Sequence, residues 1–524
     1  MSADLALVDG NVLTMNPARS RAEAIAIKED RIVKVGSNDD ICQVIGKSTK
    51  TVRLSGNTVV PGFIDTHIHV ADFGKFLVWV DLRCMKSIKE MQKSIRERVR
   101  KTPVGKWIIG RGWDQDCFAE KRLPTRFDLD VSSPDNPVII YHQSGQMCIV
   151  NSRALELAGV TKQTSAPQGG TIDKRNSGEL TGILRNSATT LVWSMIPEPN
   201  EEELVDAAGL ACEKIVEAGV TSVHWIVLSP IELLIIQKLE AQNKLRPRVY
   251  MIIPVNILDS VMGSKLLEAS PNNALKVGGA VIFADGNLAA RTAALFQPYS
   301  DFPDSRGRLL CTQQEMNKLA VKVHKANLQL VLHAVGDKAV DAALTTIKET
   351  SKEASGKELR NRIEQAAVLN EGLLHRMKKQ KVIVSVQPRV TDSEFSVWSA
   401  AEHLGPDRVR WLYPLKTLLS DGIMVSGGSD CPMEPLSPLI GIQAAVTRGF
   451  YPEERITVDE ALRLYTVNAA YSSFEENVKG SIEEGKLADL TVLSGDPLNV
   501  PLNKIGEIEV EMTLIGGRIY YSKH

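Results

Sequence analysis

Residues 59–70, VVPGFIDTHIHV, close an apolar run with two histidines two positions apart. Side chains alternate faces along a β-strand, so His67 and His69 point the same way, about 7 Å apart. Such a pair can grip a metal ion, but two ligands do not make a site. The remaining ligands have to come from elsewhere in the chain, and the segments C-terminal to this strand decide the fold.

Downstream the pattern becomes strand–helix alternation. Short apolar runs occur at GVTSVHWIVL, RPRVYMIIPV, GAVIFADG, LQLVLHAVGD, RIEQAAVL, KVIVSVQP and GIMVSGGSD. Helical stretches separate several of them. One, CTQQEMNKLAVKVHKANL, opens with Thr312 and Glu315 at capping-box spacing and carries Met316, Leu319, Ala320 and Val323 on one face. With the strand ending in HIH the runs number eight, as a (β/α)₈ barrel requires. The expected barrel domain is 61–477, with 71–200 as an α/β insertion after the first barrel strand, over the barrel mouth. Residues 1–60 and 478–524 instead read as short strands broken by Asp-Gly and Gly-Asn turns. Neither end has enough strands to close a sheet comfortably, so one small β domain built from both termini is expected.

Composition narrows the function classes. The 524 residues carry 62 basic and 63 acidic side chains, a net charge of −1, with no basic block suited to nucleic acid. No window approaches 18 consecutive apolar residues, and MSADLALVDGNVLTMN lacks the pattern of a signal peptide. Seven scattered cysteines without C-x-x-C pairs argue against a disulfide framework, which makes the cytoplasm the expected compartment.

In a parallel barrel the chemistry sits at the C-terminal ends of the strands. Those ends carry His67 and His69, His224, Asp285, His333, Gln365, Gln387 and Asp430. Imidazole and carboxylate ligands suit a borderline divalent cation. His67, His69, His333 and Asp430 therefore form the expected set, drawn from strands one, five and eight. An isolated HxH on a strand is more often incidental, but three matching strand ends reverse that judgement. Two positions keep a blander reading as well: His224 as barrel floor, and Asp285 as a turn former before Gly286. His324, His375, His403 and His524 read as surface residues.

The motifs VVPGFIDTHIHV, IFADGNLAARTAAL, LHAVGDKA, RIEQA, SVQP, GGSDCP and GSIEEGKLADLTVL resemble the amidohydrolase superfamily, in particular its YtcJ-like (amidohydrolase 3) branch. GRGWDQD, LPTRFDLD and IVNSRALELAG in the insertion are similar to that branch too. The resemblance implies a metal-dependent TIM barrel with a terminal β-sandwich, hydrolysis of C–N bonds in small molecules and, as in many relatives, a homodimer. Three positions depart from the pattern. Val281 stands where a carboxylated lysine bridges two metals, Gln365 where a histidine holds the second metal, and Gln146 where a histidine precedes IVNS. Two divalent ions about 4 Å apart repel by on the order of 20 kcal/mol even at an effective dielectric of ~20. Without an anionic bridge a binuclear site is rejected.

The expected mechanism uses one ion, Zn²⁺ ahead of Fe²⁺ or Mn²⁺, to activate a water. Asp430 takes the water proton and returns it to the leaving nitrogen, while Gln365 donates to the developing oxyanion. Asp285, Gln387, His224 and the insertion residues Trp113, Gln146 and Asn151 are expected to shape the substrate pocket. Two alternatives stand beside this reading: a small-molecule binding or regulatory protein that has lost hydrolysis, and a deaminase of heterocycles.

Overall fold

The computed structural model describes residues 2–263, 274–351 and 358–523. The eight apolar runs of the central region become eight parallel strands: β1 (Phe63–Ile68), β2 (Val220–Ile226), β3 (Arg248–Pro254), β4 (Leu275–Phe283), β5 (Gln329–Ala334), β6 (Arg362–Gln365), β7 (Ile383–Val386) and β8 (Met424–Gly427). They pair in sequence order into one sheet. The barrel closes at its C-terminal rim, where Ile68 bridges Cys431, the His69 N–H donates to the Cys431 carbonyl and the Asp430 N–H donates to the His67 carbonyl. Consecutive buried residues along β1, β2 and β3 follow from helices outside and a packed interior within. The capping box expected at Thr312 and Glu315 is present and opens the helix Gln313–Lys325.

Both chain ends build two further sheets. One orders the strands Arg31–Gly36, Ala24–Lys28, Leu5–Val8 and Lys50–Arg53; the other joins Thr58–Pro61 and Asn11–Leu13 to Leu490–Leu493, Val510–Ile515 and Arg518–Ser522. Leu7, Ile25 and Ile32 from the first share a core with Val59, Leu490 and Leu514 from the second. Neither terminus buries its apolar face alone, which is why the sandwich needs both.

Residues 74–208 form a compact unit of their own, against the 71–200 expected from sequence. It holds a mixed six-stranded sheet in which Val138–His142 runs parallel to Ile108–Trp113 but antiparallel to Met147–Val150. The helix Glu201–Glu217 runs through the downstream boundary, so residue 200 precedes a helix start rather than the end of the unit.

Candidate metal centre

Three of the four expected ligands come together at the rim between β1 and β8. His67 Nε2 and His69 Nε2 lie 3.5 Å and 3.4 Å from the same oxygen, Asp430 Oδ1. The rings are edge to face with centroids 5.3 Å apart. All three ligand atoms fall within 4.8 Å of one another. His333 is a neighbour of this group without being part of it. Burial lowers its pKa to about 4, and His67, His69 and Asp430 all act on it through their charges. Its Nδ1 has no hydrogen-bond partner among the described residues.

The local chain explains this convergence. Asp65 Oδ1 accepts from the backbone N–H of His67 at 3.0 Å and of Ser429 at 2.9 Å, tying β1 to the loop after β8. Gly428 is required there, because a Cβ would stand 2.5 Å from the His67 nitrogen. Asp430 adopts φ +58 and Gln365 adopts φ +70, conformations that cost about 1–3 kcal/mol each and persist only where the surroundings over-determine them. At Gln365 the turn has a use. Neighbours on a strand point to opposite faces, yet Glu364 and Gln365 both serve the site because Gln365, the last residue of β6, turns to φ +70. Gln365 Oε1 accepts from the Tyr413 hydroxyl at 3.0 Å, which orients Nε2 toward Asp430 Oδ2 at 3.4 Å.

Beneath the ligands lies a buried charge network. His67 Nδ1–H donates to Glu364 Oε2 at 2.6 Å, and Glu364 pairs with Arg362. The Arg362 guanidinium also donates to the Thr66 carbonyl, to Ser385 Oγ at 3.0 Å and to His224 Nδ1 at 2.7 Å. Burial would raise the Glu364 pKa, but the charges of Arg362 and His67 outweigh it and hold it down to about 2. An anion accepting from Nδ1–H leaves the Nε2 lone pair of His67 to face the site. Burial likewise works against the charge on Asp430, and His69, His67 and His333 together keep its pKa below the usual carboxylate value. Sequence reading missed Glu364 and Arg362. The signal was available: residues 362 and 364 are two apart on one strand and therefore share its inward face.

Several expected pocket residues have other work. His224 is buried, with Nδ1 taken by Arg362, as the floor reading anticipated. Asp285 accepts three backbone N–H groups, from Ala294, Val335 and Gly336 at 2.8–2.9 Å, so both oxygens brace the loops after β4 and β5 instead of facing a substrate. Burial nevertheless raises its pKa to about 6. Gln387 is buried with both amide atoms unpartnered among the described residues, and it lines a cavity of about 10 Å³, the size for a single water.

In the 74–208 unit Trp113 is wholly buried and donates Nε1–H to the Ile140 carbonyl, a core role. Asn151 caps the helix Ser152–Leu157: its Oδ1 accepts from the Ala154 and Val138 N–H groups, and its Nδ2 donates to the Ser133 and Asn136 carbonyls. Its hydrogen-bonding capacity is filled within the fold, leaving nothing for a substrate. Gln146 is exposed. Among the histidines read as surface, His375 is exposed. His403 is buried against Asp301, and His324 is buried beside Thr350. His524 lies outside the described residues.

The site suits one cation on the chemistry of its donors. Ligand atoms held about 2.0–2.1 Å from a tetrahedral zinc lie about 3.3 Å from each other, close to the spacings from Asp430 Oδ1 to the two imidazoles. His67, His69 and Asp430 would hold the ion, with His333 as the adjacent fourth donor. Val281, at the position of the bridging lysine, is buried in an apolar cluster with Ile226, Tyr250, Ile252 and Val331 and offers no ligand.

The sequence profile of the Amidohydrolase family matches residues 50–521. The chain is 32% identical to YtcJ of Bacillus subtilis over 98% of each chain. It is 28% identical to the N-substituted formamide deformylase of Arthrobacter pascens, covering 99% of this chain and 98% of that one. Among solved structures, an uncharacterized metal-dependent hydrolase from Pyrococcus furiosus superposes with a TM-score of 0.77 at 30% identity, covering 94% of this chain and 100% of that one.

Proposed function

The chain belongs to the amidohydrolase family, and from that premise we propose that it hydrolyses a C–N bond of a small amide or cyclic amidine with a single divalent ion, Zn²⁺ ahead of Fe²⁺ or Mn²⁺. The observation that carries this reading is the approach of two imidazole Nε2 atoms to one oxygen of Asp430. The similarity to a formamide deformylase supports an amide substrate, and the similarity to a metal-dependent hydrolase supports the ion.

A divalent ion supplies Lewis acidity and acidifies a water at neutral pH. The chain's own groups do the rest. Asp430 divides its carboxylate: Oδ1 faces the two histidines, and Oδ2, beside Gln365, takes a proton from water. Water adds to the substrate carbon, the C–N bond breaks, and the proton on Asp430 passes to the departing nitrogen. Gln365, its amide oriented by Tyr413, donates its second N–H to the substrate carbonyl oxygen. Glu364 keeps His67 in the tautomer whose Nε2 faces the site.

The test is metal analysis of the chain purified without added metal, followed by amine, ammonia and carboxylate release across amides, ureas and heterocyclic amines. About one equivalent of metal and amine release are expected, and replacing both His67 and His69 by alanine should remove both. Ammonia release from heterocyclic amines alone would replace the amide reading with deamination. A second reading, favoured by Gln365 and Val281, makes the barrel a small-molecule binder. Failure to take up Zn²⁺ or Mn²⁺ on reconstitution would favour it over the hydrolase.

A further inference from the structure

The 74–208 unit, taken by itself, holds aromatic surface that the hydrolytic reading leaves unused. Phe76 and Trp79 lie three positions apart; the Trp79 N–H donates to the Phe76 carbonyl, and the two rings stack with centroids 4.8 Å apart. Tyr141 follows Ile139 by two positions along the strand Val138–His142 and so ends at the edge of the core that Ile139, Cys148 and Leu184 fill. Trp193, the last residue of the short helix Thr190–Trp193, stands edge-on to Trp79 at 6.0 Å and to Tyr141 at 5.7 Å. These four side chains wall a cavity of about 500 Å³, within the range of small-molecule sites. Trp113 shows the ordinary fate of a large ring in this unit, wholly buried in its core, whereas Trp193 stays 40% exposed. Aromatic area held against water is area that a second ring would cover with a gain in free energy.

The charged groups around the cavity are already answered. Asp81 makes the bidentate pair with Arg83 and also feels the charge of Arg111, and neither guanidinium is free. Arg111 sits over the Phe76 ring at 3.7 Å, so Phe76 is taken up by Arg111 and Trp79, and the wall left to a ligand is Trp79, Tyr141 and Trp193. Burial lowers the pKa of His142 and keeps its ring neutral, with the Asp114 carboxylate 3.8 Å from Nε2. Burial also raises the Tyr141 phenol above its usual range, so its hydroxyl stays protonated. Charges of both signs therefore offset one another here. A ligand ion of either sign would give up its hydration to meet counter-ions that are already paired, a cost that an uncharged ring does not bear. We propose that this cavity binds a small uncharged aromatic molecule, its ring packed against Trp79 and Trp193.

Binding can be measured on the full chain stripped of metal, so the result does not depend on hydrolysis. The probe is benzamide, read by saturation-transfer NMR on its ring protons and by quenching of tryptophan fluorescence. Each comparator changes one property: cyclohexanecarboxamide keeps the polar group without the aromatic ring, while benzoate and benzylamine keep the ring and add a charge of either sign. Benzamide should saturate with Kd of about 1 mM or tighter. Cyclohexanecarboxamide should bind about three- to tenfold more weakly, and both ions at least about tenfold more weakly. Trp193→Ala should weaken benzamide binding at least about tenfold. Trp193 is exposed, circular dichroism checks that the variant is folded, and the comparison of probes on the parent chain needs no variant. The proposal is overturned if benzamide fails to saturate by about 10 mM, if any comparator binds as tightly as benzamide, or if folded Trp193→Ala binds benzamide unchanged.

Discussion

The barrel rim and the 74–208 unit were both expected to supply site residues, and they answer differently. At the rim, residues far apart in sequence converge: His67, His69 and Asp430 meet, with Gln365 beside them and Glu364 behind. In the 74–208 unit, Trp113 and Asn151 are scaffold. The difference is topological. Parallel strands closed into a barrel direct all their C-terminal ends to one rim, so a polar residue there has few destinations. A mixed sheet has no common end, and a polar residue in it more often satisfies a buried backbone group.

Asn151 gives the largest effect by which to break this comparison. Asn151→Ala removes a helix cap worth about 1 kcal/mol and leaves the buried Val138 N–H and the Ser133 carbonyl without their partner, while the Asn136 carbonyl keeps Ser133 Oγ. A loss of about 4 kcal/mol is expected, seen as an earlier thermal transition of the full chain, with metal content at room temperature unchanged. If the melt stays the same while turnover drops, Asn151 is a substrate residue and the contrast fails.

The same topology explains what could be read from sequence. All eight barrel strands were legible because their apolar runs are bounded by Gly, Pro or helical signals, and the composite sandwich because turn pairs separate its strands. His67, His69 and Asp430, which meet at the rim, were legible as strand-end residues. Asp285 was misassigned because the sequence shows an acid at a strand end but not the three N–H groups that fold back onto it. Tyr413, which orients Gln365, lies outside any regular element, and no periodicity announces it. The Arg185, Arg291 and Arg389 guanidiniums pair with Asp173, Asp301 and Asp392.

Glu394 sharpens the comparison from within the barrel, because it lacks the partners that Glu364 has. It is buried, and its Oε2 is unpartnered among the described residues. Burial, and then the charge of Glu434, raises its pKa to about 7 from a model-peptide value near 4.5. Between those values the folded chain holds a proton that the unfolded chain has released, so stability falls as pH rises through the window. The loss should reach about 3 kcal/mol by pH 8. Glu394→Gln should match the parent near pH 4 and melt higher at pH 8. Equal melting of the two proteins across the range would mean that Glu394 finds a partner in solution.

The smallest effect falls on the residue that most clearly separates the two regions. Glu364 touches no substrate in the proposed mechanism; it acts through His67. Glu364→Gln keeps an oxygen for His67 Nδ1–H but removes the charge that balances Arg362 and makes the imidazole a stronger donor. Loss of such a partner typically costs 10–100-fold in metal affinity or activity, so a competition titration with a zinc chelator should show weaker binding by about that factor at unchanged stoichiometry. The change should be greatest at low pH, where protons compete for the same Nε2 atoms. Glu364→Asp, which restores the charge at a shorter reach, should recover part of the affinity. If Glu364→Gln binds zinc as the parent does, the buried network only holds the barrel together. The rim would then owe its ligand geometry to the Asp65 clamp between β1 and the loop after β8.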